Sequence, residues 1–378
     1  MDFTIGTEEL HRIVKLFGVT VRANALDNTG RILIEATDIG VEFVANNNST
    51  AMTYFSYDSK IKSTGVTSIT YSKIKSFVSS FAPWDGTAGS KNFRFKKAEK
   101  TTSIFVDNTY ENGKVSKGKL RLTNYNPALV TRPEPFGTAN FTLNSTIFRL
   151  ATNKVLYAIN PNTDAAIAAL QGMNVSFDDD HIYFAGSDGC VLSEFRVKNT
   201  SDRSDGNLTL GYDFIMGLRR LLNDDMQLLW EIKGNRVSVR SENLTFSGRL
   251  IIGHEYPDYQ QVLTKFTDHV NLNKDVLMGF LTPFLDVLDP DDNYRLTFEI
   301  KDKLVRVSND QADVEVEQDI TGGLDFIIDV NGKLMMQSVE TIKDDHVLMK
   351  FSNDSSPIIF DSSTFEDQKS LITPLTRR

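Results

Sequence analysis

Short stretches in which hydrophobic and polar residues alternate recur along the whole chain. Clear examples are residues 31–36, 118–123, 235–240 and 303–308. A side-chain period of two residues predicts β-strands with one buried face and one face in water. The strands are about five residues long and are joined by turns rich in Asn, Asp and Gly. The chain is therefore predicted to be β-rich.

A second pattern repeats three times and predicts an internal repeat. A short alternating strand followed by an amphipathic helix begins at Phe3, at Phe141 and at Val270. A second strand and helix follow in each third of the chain, at residues 69–78, 210–218 and 328–335. Asp, Asn, Ser or Thr near each helix start predicts a side-chain cap for the first-turn N–H groups. We predict three domains, at residues 1–137, 138–267 and 268–378.

The predicted fold class is α+β, with two helices packed on one side of the strands in each repeat. Such layers leave strand edges open, and open edges need a partner or protection. Three repeats in a row can pair edge to edge, and the last two edges require another chain. We therefore expect a ring closed head to tail by a homodimer. The repeat pattern does not exclude a trimer or an open ring.

Composition and charge add to this picture. The 378 residues are 40% hydrophobic, which excludes wholesale disorder, and the formal net charge is −9. That sign argues against a protein that adheres tightly to nucleic acid. The charge is unevenly distributed: residues 1–137 carry 18 basic and 13 acidic residues, whereas residues 268–378 carry 11 and 22. In a head-to-tail ring, a basic strand with Lys114, Lys117, Lys119 and Arg121 would face an acidic neighbour, which predicts a salt-sensitive dimer.

No catalytic constellation is evident in the sequence. Cys190 is the single cysteine, and the five histidines do not show metal-ligand spacing. The loop at residues 86–91 lacks the spacing of a phosphate-binding loop, and residues 289–293 lack the Gly and Glu of a calcium loop. We therefore expect no enzymatic activity, no cofactor and no metal. The absence of a basic, apolar leader and of a long apolar run leads us to expect a cytoplasmic protein.

Three stretches of the chain stand out: GRLIIGHEYPDYQQVL at residues 248–263, LQGM with FAGSDGCVL at residues 170–173 and 184–192, and LITPLTRR at residues 371–378. They resemble stretches of the bacterial sliding clamp, the β subunit that serves as processivity factor of the replicative DNA polymerase. The resemblance implies a ring of two chains that encircles duplex DNA without reading its sequence. It also implies a replicative polymerase and a clamp loader as partners, and no membrane. Such divergence would suit a bacteriophage clamp.

The helix pattern indicates which residues would face the DNA. In the first helix Leu10, Val14 and Phe17 form the apolar stripe, which leaves Arg12 and Lys15 on the opposite face. Basic residues opposite the apolar stripe are selected in the same way on the equivalent helices, and the resemblance implies that Arg22 also contacts DNA. The full DNA-facing set is Arg12, Lys15, Arg22, Lys73, Lys75, Arg149, Lys154, Arg219, Arg220, Lys333 and Lys343. On the first helix of the third repeat, Asp275 and Asp286 offset Lys274, so we expect no DNA contact there.

The resemblance further implies a groove for partner peptides between the second and third domains. Its residues are Leu170, Ser187, Gly189, Leu192, Pro257, Gln261, Val262, Asn331, Leu371, Ile372, Pro374 and Leu375. Two departures from the family are Cys190-Val191 in place of His-Arg and Gln261 in place of Arg, so we expect partners with different polar residues. The resemblance also implies apolar dimer contacts at Leu120, Leu122, Val287 and Leu288.

Two other classes of function remain open on the sequence. A β-rich oligomeric structural or scaffold protein would share the repeats but would not need the basic helix faces or the groove. An enzyme would need a catalytic cluster that the sequence does not offer.

Overall fold

A computed structural model of the chain describes residues 1–21, 27–81, 92–109, 115–162, 165–222, 225–263, 266, 268–284, 286–301, 304–317, 325–362, 364 and 367–376. Arg22, Lys114 and the loop at residues 86–91 lie outside the described residues.

All six predicted helices are found in the described residues. They are α1 (Thr7–Phe17), α2 (Tyr71–Ser79), α3 (Ser145–Val155), α4 (Tyr212–Leu221), α5 (Lys274–Phe284) and α6 (Gly332–Thr341).

The strands that surround these helices also follow the alternating stretches. They are β1 (Asp2–Gly6), β2 (Arg31–Ala36), β3 (Val41–Asn46), β4 (Thr50–Ser56), β5 (Lys60–Ser63), β6 (Gly65–Thr70), β7 (Asn92–Lys97), β8 (Thr101–Thr109), β9 (Val115–Thr123), β10 (Phe141–Asn144), β11 (Gly172–Phe177), β12 (His181–Ser187), β13 (Val191–Lys198), β14 (Asn207–Gly211), β15 (Gln227–Lys233), β16 (Arg236–Ser241), β17 (Leu244–Arg249), β18 (Asp268–Asn273), β19 (Arg295–Lys301), β20 (Leu304–Ser308), β21 (Asp313–Glu317), β22 (Phe326–Asn331), β23 (His346–Phe351), β24 (Ile358–Ser362) and β25 (Gln368–Ile372).

Side-chain caps occur at only some of the helix starts. Asn273 accepts a hydrogen bond from the N–H of Val276 at the start of α5, and Asn331 accepts one from Leu334 at the start of α6. The prediction is wrong for α1 and α2, where Gly6 and Thr70 make no side-chain cap. Gly6 has no side chain to accept with. In α1, Glu8 and Glu9 lie in the first turn, where negative charge favours the helix dipole.

The chain divides into two compact units. Unit 1 comprises Met1–Ser145 and Asp213–Arg249. It holds a five-stranded sheet, in the order β5-β1-β7-β8-β9, and an eight-stranded sheet, in the order β10-β15-β16-β17-β4-β3-β2-β6. In the second sheet β17 pairs antiparallel with β4, from Leu244 opposite Tyr54 to Gly248 opposite Thr50. Strands of the first and second predicted repeats therefore pair edge to edge, as the sequence predicted.

Unit 2 comprises Thr146–Tyr212 and Leu250–Arg378. Its eight-stranded sheet has the order β14-β11-β12-β13-β25-β24-β23-β18, and its four-stranded sheet has the order β21-β20-β19-β22. Here β13 pairs antiparallel with β25, so that Leu192 lies opposite Leu371. This pairing joins the second and third predicted repeats. Helices α5 and α6 contact each other beside a core that includes Leu277, Phe298 and Met335.

Each eight-stranded sheet crosses one of the predicted domain boundaries, because the repeats share sheets. The boundaries at residues 137/138 and 267/268 therefore stay a prediction. None of the described helices combines the length and the apolar character that are needed to cross a membrane.

Candidate functional site

The apolar stripe of α1 is buried as predicted. Leu10, Val14 and Phe17 are at most 6% exposed, whereas Arg12 and Lys15 on the opposite face are exposed. On α2, Ile74 and Val78 are buried, while Lys73 and Lys75 are exposed. The helix period thus selected the correct faces in this part of unit 1. Contact between these cations and DNA stays a prediction.

On this face of α1, Arg12 belongs to a hydrogen-bond network with Glu9 and Tyr54. Its Nη2 lies 2.6 Å from Oε2 of Glu9, and it also donates a hydrogen bond to the hydroxyl of Tyr54. That hydroxyl in turn donates a 2.7 Å hydrogen bond to Oε1 of Glu9. Burial and the neighbouring carboxylate raise the pKa of Tyr54 to about 12. The network fixes the guanidinium in place and partly neutralises its charge.

The other basic residues on the helices occupy varied settings. Arg149 on α3, Arg220 on α4, Lys333 on α6 and Lys343 after α6 are exposed, and Arg219 is partly exposed. The ammonium of Lys333 lies 5.0 Å from the centre of the Tyr294 ring, within the range of a cation–π contact. Together with Arg12 and Lys15 on α1 and Lys73 and Lys75 on α2, these side chains present positive charge to solvent on five of the six described helices or directly after them.

Lys154 is a correction to the predicted set. The sequence placed it on the solvent side of α3, but the residue is only 7% exposed. Burial, together with the positive charges of Lys343 and Lys274, lowers its pKa to about 8, while Asp367 acts in the opposite direction. Lys274 donates hydrogen bonds to the carbonyl oxygens of Glu340 and Ile342. Unit 2 therefore contains a cluster of three lysines that the helix pattern did not predict.

The predicted peptide groove lies entirely within unit 2. Leu192 on β13 and Leu371 on β25 pack with Leu263 and Ile359 in one buried cluster. Beside Leu263, the side chain of Val262 is 46% exposed. The structure thus brings Leu192, Leu371 and the chain at Val262 together, and leaves one apolar side chain open to solvent there.

A tight turn between β12 and β13 forms the polar side of this region. Gly189 has φ +93°, and a side chain at its Cβ would meet nothing within 4 Å. The hydroxyl of Ser187 accepts from the N–H of Gly189, and Asp188 accepts from the N–H groups of Cys190 and Val191. The turn is therefore held by its own side chains and faces open space.

The segment that follows β25 is held by hydrogen bonds at three residues. Thr373 donates from its N–H and its hydroxyl to the carbonyl oxygen of Cys190, at 2.9 and 3.0 Å. Leu375 donates from its N–H to the carbonyl oxygen of Asp329 at 2.7 Å. Arg295 donates to the carboxylate of Asp329 and to the carbonyl oxygen of Thr376. Pro374 is partly exposed and lies between the anchored residues Thr373 and Leu375, so the backbone around it is fixed in position.

The remaining predicted groove residues have distinct positions. Leu170 is 7% exposed and lies near the end of a 3₁₀ segment, Ala165–Gln171, that contacts β11 and β12. Pro257 and Gln261 are exposed, and Gln261 donates a 2.6 Å hydrogen bond to Asp258. Asn331 is used as the cap of α6. Ile372 is 1% exposed and belongs to the core of unit 2, so its side chain has little surface to offer a peptide.

Sequence reasoning missed a buried carboxylate beneath the predicted groove. Glu194 on β13 is 4% exposed and accepts hydrogen bonds from the side chains of Gln260 and Tyr259. Burial raises the pKa of Glu194, although the hydrogen bonds to it act the other way. The available signal was its spacing: Glu194 follows Leu192 by two residues and so lies on the same face of the strand.

The predicted dimer contacts are corrected in part. Leu122 and Leu288 are 3% and 6% exposed, because both already pack within their own unit, and they leave little surface for a partner. Leu120 is partly exposed and Val287 is 37% exposed. Leu120 and Leu122 lie on β9, which is an edge strand of the five-stranded sheet in unit 1, and β21 is an edge strand of the four-stranded sheet in unit 2.

No family model matches the chain. Among curated proteins, it is 22% identical over 242 residues to the beta sliding clamp of Mycoplasma capricolum, a match that covers 62% of this chain and 64% of that protein. It is 23% identical over 225 residues to the beta sliding clamp of Buchnera aphidicola, covering 58% of this chain and 61% of that one. The chain thus spans less than two thirds of the length of the curated relatives it matches.

Solved structures share the fold over the whole chain. The DNA polymerase sliding clamp of Bacillus subtilis gives a TM-score of 0.87 at 16% identity, covering 100% of both chains. The Helicobacter pylori beta clamp bound to a DNA ligase peptide gives 0.81 at 15% identity, also covering 100% of both chains. In fold along the whole chain, and in sequence over 242 residues, the chain is similar to bacterial beta sliding clamps.

Proposed function

We propose that this chain is a DNA sliding clamp: two copies close head to tail around duplex DNA and tether a replicative polymerase. The observation that carries the proposal is the match to sliding-clamp folds along the full chain, helices included. A clamp holds DNA by encircling it and needs no catalytic group. It would act where DNA is replicated, without enzymatic activity of its own.

The charge distribution supports encirclement. Exposed Arg12, Lys15, Lys73, Lys75 and Arg220 give the helices of unit 1 a sparse basic surface, although the whole chain has a net charge of −9. Contacts with phosphates are independent of sequence and screened by salt. A few separated cations would hold the duplex weakly, which suits a protein that must slide.

Two sheet edges support closure by a second copy. On β9 the side chains of Lys117, Lys119 and Arg121 are exposed and alternate with Leu120 and Leu122. On β21 the exposed Asp313 and Glu315 alternate with Val314 and Val316. An edge strand with unpaired backbone groups binds another edge readily, and opposite charges fix the choice of partner. We infer that β9 of one copy pairs with β21 of the other, which places Leu120 and Val316 near the same interface.

Peptide docking is the second part of the proposal. The Helicobacter pylori clamp is bound to a DNA ligase peptide, and a Pseudomonas aeruginosa clamp with the same fold is bound to griselimycin. In this chain the exposed Val262, the open turn at Gly189 and the anchored Pro374 form an apolar surface with backbone groups beside it. That surface suits an extended peptide with a Leu or Phe end, from the polymerase or the clamp loader.

Retention on closed DNA tests encirclement. The purified protein would be loaded onto nicked circular DNA with a clamp loader and ATP, and the circle would then be cut once. A clamp stays on the circle and leaves after linearisation. Equal retention on both DNAs, or no retention on either, would contradict the proposal; the first result would favour adhesive binding and the second a structural role.

A short deletion tests the groove. Leu371 and Ile372 pair with β13, so deleting them would damage the sheet. Removal of residues 374–378 leaves β25 intact and should abolish stimulation of the polymerase while the dimer remains. Unchanged stimulation would refute the assignment of this segment to the groove.

A further inference from the structure

Unit 1 contains a cavity, whereas the residues of the proposed peptide groove all belong to unit 2. Its volume is about 350 Å³. It is enclosed by α1 and the turn after it, by α4, and by β15, β16 and β17. This volume falls within the range of small-molecule sites and could hold about twelve water molecules at ~30 Å³ each.

The floor of the cavity is apolar. It includes Leu16 and Val19 from α1 and the turn after it, Leu218 and Leu221 from α4, and Val239 and Phe246 from the sheet. Such a floor offers water few hydrogen-bond partners. An apolar ligand group that displaces poorly bound water there gains affinity. The floor therefore favours a hydrocarbon chain over a polar molecule.

The rim of the cavity is mainly cationic. Arg12, Lys15 and Arg220 line it, and Glu242 is the one carboxylate among the described lining residues. Arg12 is paired with Glu9, but Lys15 and Arg220 form no ion pair with the described part of the chain. An anionic group at the mouth would therefore meet two available cations, whereas a cationic group would be repelled.

The rim is also held in a fixed arrangement. The Glu9–Tyr54–Arg12 network positions Arg12 and Tyr54 at the mouth, and the N–H of Phe55, the next residue on β4, donates to the carbonyl oxygen of Asn243 at 2.9 Å. Rigid polar groups around an apolar floor reduce the ordering cost of binding.

From this combination we propose that the cavity binds a small amphipathic anion, a hydrocarbon chain of medium length that ends in a carboxylate. The chain occupies the floor between α1, α4 and the sheet, and the carboxylate lies at the mouth beside Lys15 and Arg220. Decanoate, with roughly twelve non-hydrogen atoms, matches the size of the cavity. The proposal does not depend on DNA encirclement, because it is tested by direct binding.

Equilibrium dialysis of the full chain against radiolabelled decanoate tests the proposal. We expect saturable binding of one molecule per chain. Decanol, which lacks the charge, should bind about tenfold more weakly, and decyltrimethylammonium should not compete. An absence of saturable decanoate binding, or equal competition by the cationic analogue, would overturn the proposal.

Variants assign the binding to this cavity. Leu16→Trp fills the floor of the cavity and should abolish decanoate binding. The double variant Lys15→Gln, Arg220→Gln leaves the floor intact and should weaken decanoate binding about tenfold. It tests the site even if Leu16→Trp does not fold. Lys73→Gln, which removes an exposed lysine from α2, is the matched control and should bind as the parent does. Val262→Asp in unit 2 should also leave decanoate binding unchanged. Loss of binding in Val262→Asp, with retention in the double variant, would overturn the assignment.

Discussion

The hydroxyl of Tyr157 donates a 2.8 Å hydrogen bond to Oγ of Ser370 and thereby joins the turn after α3 to β25. The same hydroxyl lies 3.0 Å from Oγ of Ser338 on α6. Ser338 and Ser370 have no exposed surface. One phenol therefore satisfies two buried hydroxyls from elements far apart in the sequence.

Tyr157→Phe should lower the free energy of unfolding by about 1–3 kcal/mol, because it leaves buried hydroxyls without their partner. Urea denaturation monitored by circular dichroism measures the change. Tyr183→Phe is the control, since the hydroxyl of Tyr183 bonds to Asp178, whose side chain is 49% exposed and can turn to water. If both variants lose the same free energy of unfolding, the buried hydrogen bonds of Tyr157 stabilise the fold no more than the exposed one of Tyr183.

Lys154→Met should stabilise the protein at pH 7, and its advantage should shrink as the pH rises. The folded-state pKa of Lys154 is lowered to about 8 from an ordinary value of 10.5. Below pH 8 the lysine is charged in both states, and burial beside Lys343 and Lys274 penalises the folded state. Between about pH 8 and 10.5 the folded chain has lost the proton that the unfolded chain retains, so unfolding takes up a proton and stability rises with pH.

Unfolding free energies of the parent and of Lys154→Met at pH 7 and pH 9.5 test this sign. Lys73→Met, which removes an exposed lysine, serves as the control. If the difference in unfolding free energy between the parent and Lys154→Met widens as the pH rises, the result contradicts the burial of a destabilising charge at Lys154.

Lys119→Glu should raise the dissociation constant of the proposed dimer roughly tenfold, because it places like charges opposite each other on the two edge strands. Glu315→Lys in the same chain should restore the dimer. Sedimentation equilibrium at low and high salt measures both effects, and the parent dimer should weaken as salt increases.

Lys62→Glu is the matched control for this charge reversal. It makes the same change in net charge on β5, at the other edge of the same sheet. A monomeric parent at micromolar concentration and low salt would refute the proposed interface. So would a double variant that dissociates more readily than Lys119→Glu alone.

Val262→Asp should weaken binding of a labelled peptide with adjacent Leu and Phe at its end by at least about tenfold, because burial of a valine side chain is worth ~1.5 kcal/mol or more. Val262 is already exposed, so the fold should tolerate the change. Ile252→Asp replaces a 59% exposed side chain in the same segment but outside the groove, and it should bind the peptide normally. Fluorescence anisotropy measures the peptide affinity of both variants. A similar loss of affinity in Val262→Asp and Ile252→Asp would argue against a local binding site at Val262.

Much of the architecture could be predicted from the sequence because periodicity is a local property. A period near 3.6 selected Leu10, Val14 and Phe17 for the core, and a period of two located strands such as β2 within a residue. The edge-to-edge pairing of repeats followed from the need to satisfy open backbone groups. Helix caps were harder to predict from the sequence, because residue type alone does not determine whether the side chain of Thr70 turns toward the helix.

The errors share one physical cause. Lys154, Leu122 and Leu288 were assigned to exposed surfaces from their own element or from the resemblance, and each is covered by residues distant in sequence. The buried Glu194 was missed for the same reason, since its partners Gln260 and Tyr259 come from a segment far along the chain.

By itself, the sequence predicted three repeats, the six helices and the faces that α1 and α2 bury, because these depend on spacing over a few residues. Only the tertiary structure decided which polar side chains are covered, where the cavity beside α1 lies and which strands form the edges of the described sheets. The burial and the pKa of a side chain, and the exposure of a strand edge, depend on contacts between segments that lie tens to hundreds of residues apart. Local spacing does not predict those contacts.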